Sequence, residues 1–251
     1  MVRYSELAGR SVVVTGSAGG IGEVAARAFY DQGAYVFLLD IDVVKIEQIA
    51  TELGDRAFAK PVDLTDPLAV KATFASIFMA SHGLDVLVNC AGGYSKLQSI
   101  EEMDLAEWDQ TIALNLRSVF LCCQAAIPGL KKSKAGRIIN VTSVSGRTVH
   151  AVSSPAYGAA KAGVTLLSKF LAYELGPFGI TSNNIAPLTT LTPRVKALRT
   201  QEDIDRIALQ VPMKRLATED DHVYAMLYLA SNGASFVNGT TIDTNGGRVM
   251  M

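Results

Sequence analysis

Short apolar runs alternate along this chain with longer stretches in which apolar residues recur at helical spacing, and the alternation predicts β-strands joined by α-helical crossovers. The runs fall near Val12–Thr15, Tyr35–Leu39, Ala57–Val62, Asp85–Asn89, Arg137–Thr142, Ile180–Ile185 and Thr241–Asp243. Connections of this length suit parallel strands. A hydrophobic fraction of 49% fits a sheet buried on both faces, and 251 residues fit one α/β domain spanning residues 1–251, with no linker, repeat or low-complexity tract.

The first strand runs straight into Gly16-Ser17-Ala18-Gly19-Gly20-Ile21-Gly22, which opens a helical pattern. Glycines there permit a tight turn and let a pyrophosphate reach backbone N–H groups at a helix N-terminus, although the spacing departs from strict G-x-G-x-x-G. The second strand ends in Asp40, where a carboxylate can accept hydrogen bonds from ribose hydroxyls. Farther along, Ser154-Pro155 signals a helix start and Gly176-Pro177 a stop. On that helix Tyr157 and Lys161 stand four residues apart and share a face. An ammonium beside a phenol favours the phenolate, so Lys161 is expected to lower the pKa of Tyr157.

With Asn89-Cys90-Ala91-Gly92, Asn115 and Gly136–Ser143 added in this order, the chain resembles the short-chain dehydrogenase/reductase family from Leu7 to about Val249. The resemblance implies a Rossmann-type doubly wound parallel sheet of about seven strands, with helices on both faces. It implies a catalytic tetrad of Asn115, Ser143, Tyr157 and Lys161. Tyr157 would exchange the proton, Ser143 would bind the substrate oxygen, Lys161 would also hold the nicotinamide ribose, and Asn115 would hold a relay water. A cofactor would lie against Gly16, Ser17, Gly20, Ile21, Gly22, Asp40, Ile41, Asp63, Leu64, Asn89, Ala91, Gly92, Tyr157, Lys161, Pro187, Thr190 and Thr192. Asp63 serves equally well as a helix N-cap. Substrate would meet Tyr94, Ser95, Ser143, His150, Tyr157 and Leu188, with His150 also readable as an exposed loop residue. Residues 188–215 correspond to the family's mobile lid, and their charged stretch also reads as a pair of surface helices. Cys90 stands for the second Asn of the family's N-N-A-G motif and Leu188 for the usual Gly after Pro187; neither change removes a catalytic group.

These residues predict an NAD-dependent oxidoreductase that interconverts a secondary alcohol, or a sugar or diol hydroxyl, and its ketone. NADP is disfavoured by Asp40. The alternatives are an NADPH-dependent ketone or 3-oxoacyl-carrier-protein reductase and a non-catalytic dinucleotide-binding protein. A net charge of -1 with no basic run gives no case for a nucleic-acid partner. The apolar runs are too short to span a bilayer and Met1–Glu6 lacks a signal-peptide core, so the expectation is a cytoplasmic protein. Three cysteines and three scattered histidines match no metal-ligand spacing, and the cysteines read as buried thiols. Family resemblance implies a homotetramer, with Leu116, Val119, Phe120, Ala159, Ala162, Val164 and Leu171 expected to serve both the core and a neighbouring subunit.

Overall fold

A computed structural model describes residues 2–81, 83–94, 96–149 and 153–250. Strands β1 (Ser11–Thr15), β2 (Tyr35–Asp40), β3 (Ala57–Pro61), β4 (Val86–Asn89), β5 (Arg137–Val141), β6 (Thr181–Pro187) and β7 (Thr241–Thr244) form one parallel sheet in the order β3-β2-β1-β4-β5-β6-β7. Each lies where the sequence places it, within two residues at either end.

Successive side chains on a strand face opposite ways, and here both faces are dry. Val12 and Val14 enter a core shared with helices α1 (Gly20–Asp31) and α2 (Val43–Leu53), while Val13 enters the opposite core. That second core is built with α3 (Pro67–Ser81), and then, past α4 (Leu105–Ile112), with α5 (Ser118–Leu130) and α6 (Pro155–Leu175). The remaining helices are α7 (Pro193–Leu198), α8 (Gln201–Leu209) and α9 (Glu219–Ala230), the last packed beside α1. The stretch read both as a lid and as a surface helix pair is folded as that pair, α7 and α8.

Two expectations about helices change. Asp63 is not a helix N-cap: its Oδ1 closes a turn onto the Thr65 N–H at 2.8 Å, and Asp66 accepts from Leu68 and Ala69 at the start of α3. Ser154 holds the N-cap position of α6 but makes no side-chain capping bond. A five-residue π-helical segment, Ala113–Arg117, fuses α4 and α5 into one helix from Leu105 to Leu130. By length and composition that helix could cross a membrane, unlike the separate runs in the sequence. It carries Glu107, Asp109 and Arg117, and its inner face lies against α3 and β4 like a core helix of a layered domain.

Candidate active site

Strand order reverses at β1, which pairs with β2 on one side and β4 on the other, and such a reversal opens a crevice beyond the carboxyl ends of the strands. The glycine loop forms one wall. A side chain at Gly22 would put its Cβ 2.0 Å from the Gly16 carbonyl, so only glycine lets the helix start this close to the strand. Helix α1 begins without a side-chain cap, which leaves its first N–H groups directed into the crevice. Asp40 accepts from the Ala18 N–H at 3.0 Å and from the Asp42 N–H at 3.1 Å, fixing the carboxylate beside the loop. On the other side, Thr15 Oγ1 accepts from the N–H groups of Cys90 and Ala91 and ties the Asn89–Gly92 segment to β1. Thr192, which caps α7, rests against Gly20. Ser17, Leu64 and Pro187 are buried, whereas Ile41 and Asp63 are exposed near the tips of β2 and β3.

The four tetrad residues converge. Ser143 follows β5 and lines the same cleft as Tyr157, which stands in the first turn of α6. One turn on, Lys161 Nζ donates to the Val141 carbonyl at 2.9 Å and lies 5.5 Å from the Tyr157 ring centre. Asn115 comes from the π-helical segment, a common device for turning a side chain out of an ordinary ladder at a functional site. Its Oδ1 accepts from the Gly93 N–H at 2.8 Å, and its Nδ2 donates to the carbonyls of Gly93 at 2.7 Å and Thr111 at 2.9 Å. The amide therefore spends both protons on the protein and holds the Gly92–Gly93 corner against Lys161. A Cβ at Gly92 would meet Asn115 Oδ1 at 2.5 Å and Lys161 Nζ at 3.0 Å.

Burial dominates the electrostatics of the pair. It pushes the Tyr157 phenol up to about 12, with the Ser143 hydroxyl opposing and Tyr94 adding to the rise. Burial also brings Lys161 down to about 8, against the pull of the Cys90 thiol. Burial therefore outweighs the lowering expected from Lys161, whose ammonium stands 5.5 Å from the ring centre. Cys90, Cys122 and Cys123 are free thiols raised by burial, which suits packing rather than nucleophilic work.

Tyr94, Ser143, Tyr157, Leu188 and Thr190 line one cleft of about 250 Å³, and the Tyr94 and Tyr157 rings stand 5.0 Å apart. Ser95 and His150 fall outside the described residues. Thr190 is in place but its hydroxyl is taken: it donates to the Leu188 carbonyl at 3.0 Å and pairs with His222 Nε2 at 2.8 Å. His222 is fully buried, and its Nδ1 lies 2.8 Å from Thr244 Oγ1. The Thr190 bond to Leu188 uses that hydroxyl's proton, so Nε2 carries the ring's hydrogen and Nδ1 accepts from Thr244. Burial lowers this histidine to about 4, which keeps it neutral. Sequence reasoning passed over His222 as one of three scattered histidines; the available signal was a histidine opening the apolar run Val223–Ala230. It also passed over Arg199, just beyond α7, which lines the same cleft.

A parallel sheet with a glycine turn at its reversal point, and a serine, tyrosine and lysine at the adjoining strand ends, defines a Rossmann-type nucleotide-dependent oxidoreductase. A family model described as enoyl-(acyl carrier protein) reductase matches residues 16–248. The chain is 38% identical to nodulation protein G of Rhizobium sp. (strain N33), covering 98% of this chain and 99% of that protein. It is 34% identical to the D-threitol dehydrogenase of Mycolicibacterium smegmatis, covering 96% and 93% of the respective chains. Among solved structures it superposes on a 3-oxoacyl-[acyl-carrier protein] reductase from Brucella melitensis with a TM-score of 0.93 at 31% identity, covering 99% of this chain and 94% of that one. The chain belongs to the short-chain dehydrogenase/reductase family of oxidoreductases, whose members use NAD or NADP.

Proposed function

We propose that the protein is an NAD-dependent dehydrogenase of a secondary alcohol, working reversibly with the ketone. The observation that carries this reading is that Ser143 and Tyr157 stand together in the cleft, with Lys161 one helical turn below. When bound, the nicotinamide accepts or returns the hydride. Tyr157 Oη takes the hydroxyl proton in oxidation and gives it back in reduction, while Ser143 Oγ donates to the substrate oxygen as negative charge gathers there. Lys161 steadies the phenolate that accepts the proton in oxidation and is left behind in reduction, and it would reach the nicotinamide ribose. Asn115 holds the Gly92–Gly93 corner beside both groups. The loop from Gly16 to Gly22, with Thr192 across from it, would hold the pyrophosphate, Asp63 and Leu64 would meet the adenine, and Asn89 and Ala91 would form the floor.

Asp40 supports NAD over NADP. Each oxygen of its fixed carboxylate keeps a lone pair for a ribose hydroxyl, and the same charge repels a phosphate there. Neither the glycine loop nor residues 41–44 hold a lysine or arginine to compensate. The reductase from Brucella melitensis keeps a carrier-protein thioester ketone open as a second substrate reading, and the threitol dehydrogenase favours an alcohol. Residues 188–215 act as a lid that orders over bound cofactor, and the chain assembles as a homotetramer. A panel of secondary alcohols, diols and sugars, offered with each dinucleotide and followed by absorbance of the reduced cofactor, tests the reading. NAD is expected to win clearly and Asp40→Ala to narrow the gap; equal kcat/KM with NADP in the wild type would refute the cofactor assignment.

A further inference from the structure

Arg199 is the one formally charged side chain among the described residues that line the Tyr157 cleft. It is half-buried, and it makes no hydrogen bond or ion pair with any described residue. The contrast with its surroundings is sharp. In the adjoining cavity, on the other side of Leu188, Arg215 is bonded through two nitrogens to Asp221, at 2.6 and 2.7 Å. Arg147 lies 3.2 Å from Asp243. A half-buried arginine with no anion beside it offers its fork of N–H donors to a ligand carboxylate, which can take two parallel charge-assisted hydrogen bonds from it.

We propose that the substrate alcohol carries an anionic group, a carboxylate, and that Arg199 is the residue that selects it. The inference rests on the dehydrogenase reading and deepens it: the substrate class is a hydroxy acid, oxidised to the oxo acid. In that step the hydroxyl proton goes to Tyr157 and the carbinol hydride, with its electron pair, reduces NAD, so hydroxy acid and NAD give oxo acid, NADH and one proton. The other cleft walls fit a short organic acid, because Tyr94, Val144, Leu188 and Val195 supply an apolar lining on which a carbon skeleton can lie between the two polar ends. The cofactor's own phosphates are a poorer match for Arg199. They belong at the glycine loop, which Thr192 touches at the start of α7. Arg199 stands at the far end of that helix, about 10 Å along its axis from Thr192 at roughly 1.5 Å per residue.

The test uses the full-length protein with NAD and a matched series of racemic 2-, 3- and 4-hydroxy acids and their neutral amides, alongside unsubstituted secondary alcohols. The wild type is expected to prefer one acid over its amide by about 30-fold or more in kcat/KM, chiefly through KM. Arg199→Met should collapse that preference toward unity, and Arg199→Lys should keep part of it. Thermal unfolding of each variant, and the KM for NAD, are read in parallel. Turnover of neutral alcohols with no gain from a carboxylate would overturn the inference while leaving the dehydrogenase reading standing. A preference for acids that survives Arg199→Met would remove Arg199 from the role, and a variant whose main defect is the KM for NAD would assign the arginine to the cofactor. No NAD-linked turnover of any alcohol would remove both readings together.

Discussion

At the scale of single residues, the cleft sets two titratable groups against their ordinary behaviour. Tyr157 resists losing a proton and Lys161 resists keeping one, for the same reason of burial. Tyr157→Phe removes the one oxygen proposed to exchange the proton and little volume. It should lower kcat by roughly 100-fold or more while leaving the fold and NAD affinity near wild type; near-normal turnover would sink the tyrosine's role. His222 leads to a separate outcome, in stability. Its folded-state pKa of about 4 lies below the 6.5 of a free histidine, so the unfolded chain takes up a proton first as pH falls. Its contribution is complete above pH 6.5, drains away between 6.5 and 4, and amounts to on the order of 3 kcal/mol. The neighbouring Asp221, with its carboxyl held well below the usual carboxylate range by Arg215, loses its contribution only at lower pH, below its ordinary value of 3.8. Unfolding midpoints of wild type and His222→Leu between pH 7 and 4 should therefore differ in slope, and parallel curves would contradict the assignment.

At the scale of elements, what the sequence disclosed was whatever local pattern decides. The seven strands were legible because each is an apolar run buried on both faces, and the glycine turn was legible because a strand feeds directly into it. The π-helical segment around Asn115 was not, since one extra residue in a helical turn leaves no mark on apolar spacing. Likewise, Asp63 and Asp66 offer the same chemistry three residues apart, and only the backbone chose between them. The four residues of the expected tetrad could be named in advance from the family resemblance, whereas Arg199 and His222 depend on how α7 and α9 settle on the sheet ends, which is non-local. Leu188 shows the same limit. Its place after β6 was readable, but the sequence did not show that it forms a wall of both the catalytic cleft and the adjoining cavity of about 220 Å³. Leu188→Gly should join the two spaces and shift kcat/KM toward bulkier alcohols. Because the side chain is buried with Val144 and Val211, a moderate stability loss of about 2–4 kcal/mol is expected as well. An unaltered size profile would reduce Leu188 to a packing variant.

At the scale of the whole molecule, the question is what covers the apolar surface that one chain leaves open. The residues expected to face a neighbour divide: Val119, Val164 and Leu171 turn inward to the core, while Phe120, Ala159 and Ala162 stay outside. Leu166, Phe170 and Tyr173 extend the exposed set along α6, and Tyr173 is 84% exposed. A second apolar area lies in the opposite helix layer, where Tyr224 and Tyr228 of α9 are exposed and Phe236 beyond it is fully so. Beside it β7 ends the sheet with an unpaired strand edge, a feature that soluble proteins cover or blunt. Patches of this kind mark association sites, and a two-fold contact uses the same patch on both partners. One patch would give a dimer; two that do not overlap, each joined through its own two-fold axis, close into a tetramer with dihedral symmetry. Light scattering at micromolar concentration should therefore report four times the 26.7 kDa chain mass. Phe170→Glu should break only the α6 contact and Phe236→Glu only the other, so each variant alone should run as a dimer and the pair together as a monomer. A wild-type monomer would overturn the assembly outright, and a wild-type dimer split by just one of the two substitutions would show which face the chain uses.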